Sequence, residues 1–312
     1  AGQLDNLRTY TRHLMQRMPE ALIPPDVRSR LNELRLQAQR TRAAQGIGLH
    51  ASHNRGAGLE FSQYRGYEPG DELRQIDWKL YARSDRFFVR EAERESPLTV
   101  WLLLDASASM AQADQAKPGF SRLQAAKSLA ACVVELALRQ GDRFGLIALR
   151  EDGVQLLPAN SGPRQRDRLW LSLHSLTAQA RFPQGERLNP VWERIVADDL
   201  VIVLSDGFDD GCIALAERLA AARREVIFIQ LLTAEERDFP FTGGHLFHDP
   251  ETGQTVSGDG KAMRAEFLQQ FNRALQMLDA RLDAAGIVHV RHVLDAPLDT
   301  PLRQLFGKHA RP

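Results

Sequence analysis

The sequence predicts an α/β fold: a Rossmann-like doubly wound, mainly parallel sheet with an N-terminal helical/β appendage and a β-hairpin insertion. From about residue 98 onward, short apolar runs alternate with longer segments of helical period, the pattern of a parallel sheet covered by helices. The runs have no polar face, as expected of strands buried on both sides. Hydrophobic residues make up 43% and charged residues 26% of 312 residues, enough to bury a core and too apolar for a wholly disordered chain. The expected division is an appendage over residues 1–97 and the α/β domain over 98–312, with the hairpin near 240–258.

In chain order, Asp26 to Ala43 reads as an Arg-rich helix and Gly46 to Gly58 as a loop. The strand candidates are Leu98–Leu104, Phe144–Leu149, Leu200–Leu204 and Val226–Leu232, with Ile287–Val293 as the last. After the first of these, Ser121 precedes a stripe of Leu123, Ala126, Ala130, Val133 and Ala137, and Gly141 follows the final turn. Those features predict a crossover helix capped at both ends. Arg164–Leu176, Leu188–Val196, Cys212–Arg223 and Lys261–Ala284 read as further helices, with a short one near Leu302–Phe306. Gly243 to Gly260 interrupts the alternation, and Asp249-Pro250-Glu251-Thr252-Gly253 at its centre predicts a hairpin turn leaving the sheet.

Composition narrows the function. Forty Lys and Arg balance forty Asp and Glu, so the whole-molecule field gives no general pull toward nucleic acid or anionic lipid. No apolar run approaches the roughly 18 residues of a membrane span and the N-terminus carries no apolar signal core, so the expected location is cytoplasmic, with no membrane partner. Cys132 and Cys212 lie far apart in helix-like segments, which argues against a disulfide framework and for two small buried hydrophobes. There is no Gly-x-Ser-x-Gly elbow, phosphate loop or Gly-x-Gly-x-x-Gly after a strand. Asp105 also lacks the second Asp two residues on that a phosphoryl-transfer nucleophile would need; Ser107 stands there. The expectation is a protein that is not an enzyme.

The chemistry concentrates at two strand ends. Asp105-Ala106-Ser107-Ala108-Ser109 follows one buried strand and Ser205-Asp206-Gly207 another, and the carboxyl ends of parallel strands are where open α/β sheets bind ligands. Carboxylates and hydroxyls are hard oxygen donors suited to Mg²⁺. Capping of the following turns is the competing reading for the same residues.

This pairing, Asp-x-Ser-x-Ser with a later Ser-Asp-Gly, resembles the von Willebrand factor A-type domain and its metal-ion-dependent adhesion site. The resemblance implies that Ser107 and Ser109 ligate Mg²⁺ (or Mn²⁺) directly, that Asp105 and Asp206 hold it through water, and that a partner's carboxylate fills an open position. Where such domains supply a threonine, this chain has Gly185-Glu186-Arg187-Leu188. Three outcomes stay open: Glu186 ligates instead, Thr177 reaches in, or the site is lost.

A long segment from Gly56 through Trp78 to Ala82-Arg83 interleaves aromatics with opposite charges. Together with the Asp105 motif, Phe239-Pro240-Phe241 and the turn at Asp249 to Gly253, it resembles the bacterial domain of unknown function family 58, from about Gly48 to Val293. That family implies a von Willebrand A-like protein without known catalysis, encoded beside a MoxR-type AAA+ ATPase and working with it in assembly or activation of protein complexes, with that ATPase or its client proteins as partner. Within the segment, Glu60, Arg65, Asp71, Arg74, Asp77, Trp78 and Arg83 read either as partner-binding anchors or as an internal ion-pair network. Two other readings of the whole chain remain: a metal-dependent hydrolase with Glu186 as base, and nucleic-acid binding through the basic face of Arg28, Arg30, Arg35, Arg40 and Arg42. The histidine pairs His50/His53 and His245/His248 lack cysteine support for zinc, and His289 and His292, three apart on a strand, face opposite sides.

Overall fold

The structure, a computed structural model, describes residues 22–37, 60–68, 76–93, 97–115 and 117–307. Two compact units are present, one within Ala44–Pro97 and one formed by the remainder. A single cut at 97/98 therefore does not describe the chain, because described residues before the smaller unit belong to the larger one. There α1 (Pro25–Arg30) and a 3₁₀ turn bury Val27 and Leu31, after which Leu34 is extended. Leu34 and Leu36 are buried and Arg35 exposed, a period of two rather than 3.6. The helix expected over Asp26 to Ala43 thus ends early. Arg30 pairs with Asp26 and Asp299, so it is not part of a free basic face; Arg40 and Arg42 lie outside the described residues.

The smaller unit holds β1 (Glu60–Gly66), α2 (Trp78–Ser84) and β2 (Phe88–Glu93), with β1 and β2 antiparallel. Asp77 caps α2, its carboxylate accepting the Lys79 and Leu80 N–H groups at 2.9 and 3.1 Å. Tyr81 stacks on Phe87 at 4.4 Å, with Trp78 and Tyr67 edge-on around them.

In the larger unit β3 (Thr99–Asp105) leads into α3 (Arg122–Gln140), which returns to β4 (Arg143–Arg150) beside β3. The Ser121 hydroxyl accepts the Gln124 N–H at one end of α3, and Gly141 adopts φ 77° at the other, both as expected. β5 (Gly153–Asn160) then folds back antiparallel to β4 as an edge strand; its half-polar sequence had hidden it. After α4 (Pro163–Ser175) and α5 (Asn189–Arg194) the chain crosses to the other side of β3 as β6 (Leu200–Ser205), followed by α6 (Asp210–Ala221) and β7 (Glu225–Leu232). The short α7 (Ala234–Asp238) precedes the expected excursion, a hairpin of β8 (Gly244–His248) and β9 (Thr255–Asp259). The long α8 (Gly260–Ala284), β10 (Val288–Val293) and α9 (Thr300–Phe306) complete the unit.

The sheet order is β10-β7-β6-β3-β4-β5, parallel except for β5. The α/β, mainly parallel architecture read from the sequence is present. Alternate residues of each central strand feed two cores. Val100, Leu102 and Leu104 face α3 and α4, whereas Trp101 and Leu103 face α5, α6 and the end of α8. The direction of winding reverses between β3 and β6, and the carboxyl ends of the strands at such a reversal are where open sheets of this kind hold ligands. Among the described residues no helix is long and apolar enough to cross a membrane.

Candidate functional site at the switch point

Asp105 and Ser205 end the two adjacent strands on either side of the winding reversal. The Ser205 hydroxyl donates to Asp105 Oδ2 at 2.7 Å, and the Ser107 N–H donates to Oδ1 at 2.9 Å. The second bond is an Asx turn, which is why the Asp-x-Ser spacing turns the chain back over the strand end. That turn places Ser107 Oγ and Ser109 Oγ 3.1 Å apart. The loop is held from outside by the Ala106 N–H on Leu149 O, the Ala108 N–H on Ala180 O and the Gln179 N–H on Ala106 O. Asp206 follows on β6, its Oδ1 accepting the Phe208 N–H at 3.2 Å and its backbone carbonyl accepting Gln230 Nε2 at 2.9 Å. Gly207 has φ 74°, and a Cβ there would lie 3.1 Å from Leu278 and 3.3 Å from Gln230, so both conformation and space call for glycine.

The electrostatics are dominated by burial. Asp105 and Asp206 are both buried. Desolvation first, and the Asp206 charge second, push the Asp105 carboxyl up to about 7, against the hydrogen bonds from Ser107 and Ser205. Asp206 is balanced by a buried cation, Arg122, whose Nη1 lies 2.9 Å from Asp206 Oδ2 and donates also to the Ser109 carbonyl at 3.0 Å. Arg122 Nη2 binds Glu236 and its guanidinium lies over the half-exposed Phe208 ring at 5.3 Å. Glu236 is at the same time the third residue of α7 and closes its capping box, accepting the Thr233 N–H at 2.9 Å.

The donors fit a small hydrated cation in type and spacing. Adjacent ligands of an octahedral Mg²⁺ are about 3.0 Å apart when each sits at about 2.1 Å, close to the separation of the two hydroxyls. Ser107 and Ser109 would hold the cation and Asp105 and Asp206 stand behind them. Arg122 offsets one of the two negative charges that Asp206 and Glu236 bring to it.

The remaining predicted residues fall elsewhere. Glu186 is exposed in the 3₁₀ turn Gly185–Leu188, and no three His, Cys, Asp or Glu residues among the described ones are grouped to hold a metal. Glu186 is thus not grouped with Asp105 and Asp206 among the described residues. Thr177 is exposed and its hydroxyl accepts from Gln179. In the charged and aromatic segment, Asp77 is a helix cap, Trp78 and Arg83 are exposed, and Glu60 and Arg65 lie on β1. Asp71 and Arg74 lie outside the described residues, as do His50 and His53. The Thr242 carbonyl of its own loop accepts from His245 Nε2 at 3.0 Å, and His248 is exposed. His289 contacts Asp279 at 3.1 Å while His292 is buried on the other face of β10, as its spacing predicts.

Arg122 and Glu236 were not singled out by sequence. Thr233-x-x-Glu236 carries a capping-box signal. Arg122 carries none beyond its place after a cap.

A family model described as "Protein of unknown function DUF58" matches residues 63–277. Uncharacterized proteins of Mycobacterium tuberculosis and Mycobacterium bovis are 27% identical over 218 residues. The match spans 66% of this chain and 66% of each relative, just under two thirds of their length. Among solved structures, the conserved hypothetical protein BatB of Bacteroides thetaiotaomicron is 16% identical at a TM-score of 0.41, over 67% of this chain and 95% of that one. The SpRpn10 VWA domain is 15% identical at a TM-score of 0.39, over 66% of this chain and 94% of its own.

Proposed function

This chain belongs to the DUF58 family, and from that starting point we propose that it is a non-enzymatic protein-interaction module that engages a partner through the crevice between β3 and β6. The observation that carries the reading is the convergence of Asp105, Ser107, Ser109, Ser205 and Asp206 on one spot, tied together by the hydrogen bond from Ser205 to Asp105. Hydroxyls at an octahedral spacing beside two buried carboxylates suit Mg²⁺ or Mn²⁺, and a cation with an open position attracts a carboxylate from a partner. The family resemblance supports a MoxR-type AAA+ ATPase, or its client, as that partner, in assembly or activation of protein complexes.

The test is thermal unfolding of the full chain and of Asp105→Ala, each with and without millimolar Mg²⁺ or Mn²⁺. A cation at about 100 times its Kd adds about 2.7 kcal/mol to the folded state. A rise of several degrees in the midpoint of the wild type alone is expected. Equal midpoints with and without cation in the wild type would overturn cation dependence and leave Arg122 as the resident positive charge of the site.

A further inference from the structure

The smaller unit carries a surface of its own. At the start of α2 the Asp77 N–H donates to the Phe88 carbonyl at 2.9 Å, and the Tyr67 N–H donates to the Phe87 carbonyl at 3.0 Å. Asp85 ends the helix in the left-handed region, its N–H on the Tyr81 carbonyl. Those bonds mount four rings on one frame. Trp78 stands nearly perpendicular to both Tyr81 and Phe87, at 6.1 and 6.3 Å, and Tyr67 meets Phe87 at 6.2 Å. Trp78 is nevertheless 57% and Phe87 44% exposed. Large rings that pack on one another and still stand in water mark an interaction surface more than a core.

Unpaired cations flank the rings. Lys79, Arg83 and Arg86 are exposed, and among the described residues no ion pair, side-chain hydrogen bond or ring face engages any of the three side chains. Lys79 and Arg83 are four residues apart on one side of α2, and Trp78 and Tyr81 are three apart on the adjoining side. Between Trp78 and Phe87 the only acidic residue is Asp85, so three positive charges stand against one negative charge. An internal ion-pair network would have paired Arg83.

We propose that this face of the smaller unit docks an acidic segment of a partner protein, with apolar side chains on Trp78 and Phe87 and carboxylates on Lys79, Arg83 and Arg86. Trp, Tyr and Arg are the side chains that dominate interface energetics, and unpaired charges beside them set which partner is accepted. The rings are already held in place, so docking costs little ordering of them. The excess of positive charge selects against a basic segment. Ring geometry selects against a nucleic-acid strand: Tyr81 and Phe87 are stacked on each other, which takes up faces that successive bases would need. The balanced charge of the whole chain likewise supplies no field that would track a phosphate backbone.

The test is fluorescence anisotropy on the full chain at low salt, in EDTA so that no divalent cation serves the β3–β6 site. Three labelled probes are compared: a short peptide alternating Glu with Phe and Leu, the same peptide with Lys in place of Glu, and oligo-dT. The acidic peptide is expected to bind the wild type, to weaken as salt is added, and to bind Trp78→Ala about ten-fold more weakly. Lys79→Glu/Arg83→Glu should lose the acidic peptide and gain the basic one. Both of those side chains are exposed and unpaired, so the urea midpoint of that variant is expected to match the wild type, which keeps the test sound even where Trp78→Ala loosens its own cluster. No binding of the acidic peptide, equal binding of it to the wild type and Lys79→Glu/Arg83→Glu, or tighter binding of oligo-dT than of the acidic peptide would each overturn the docking surface.

Discussion

Arg122 opens α3 directly after its cap and buries its guanidinium between Asp206, Glu236 and the Ser109 carbonyl. Removing one member of a buried ion pair costs about 3–5 kcal/mol, because the other charge is left in a poor solvent. Arg122→Met is therefore expected to lower the unfolding free energy in urea by about that amount, and Asp206→Asn in the same background to restore part of it. No recovery would show that the guanidinium acts through packing on Phe208 instead. His292 gives the second test at this scale. Both its ring nitrogens lack a partner among the described residues, and burial lowers its pKa from 6.5 to about 4. Between about pH 6.5 and 4 the unfolded chain binds a proton that the folded one refuses, so stability falls as the pH falls through that window. The loss is about 1.4 kcal/mol per unit, about 3–4 kcal/mol in all. His292→Leu should flatten the difference between urea midpoints at pH 7 and pH 4.5; an unchanged difference would assign the acid sensitivity to other groups. The hydroxyls of the site were legible because Asp-x-Ser-x-Ser is a local turn. Arg122 was not, since its partners lie 84 and 114 residues away.

Among the elements, the amphipathic helices were legible because period, cap and stop agree, as Ser121 and Gly141 show for α3. The segment after α1 was not, since Arg-rich composition suggested helix while Leu34 and Leu36 alternate with Arg35. What holds that segment extended is Gln140, whose amide oxygen accepts the Leu36 N–H at 2.7 Å and whose amide nitrogen donates to the Leu36 carbonyl at 2.9 Å. A side chain imitates a strand neighbour here. Gln140→Ala leaves both Leu36 groups without that partner, at about 1–3 kcal/mol for a buried backbone group. Faster hydrogen exchange at Leu36 with a lower midpoint is the expected result; native-like exchange there would mean that Leu34 and Leu36 burial alone fixes the segment. The half-polar edge strand β5 escaped notice for a related reason, as one covered face gives a weaker apolar signal than two.

For the molecule as a whole, the position of the crevice matters more than its composition. β3 and β6 are central in the sheet, with β4 and β7 outside them, so their carboxyl ends separate only when the larger unit unfolds. A cation bound there would protect the slowest-exchanging amides, those of β3 and β6, by the same factor as the global transition, up to about 100-fold at 100 times Kd. Protection confined to the Ala106–Gln112 loop would instead place the cation outside the junction. Apolar period told which residues are buried, and the two strand-end motifs told which ends carry oxygen donors, because both signals repeat within a few residues. Neither reports which strands are neighbours. Strand order brought Ser205 to Asp105 and helix placement brought Arg122 to both Asp206 and Glu236, since each of these meetings depends on chain closure over a hundred residues or so and not on any local pattern.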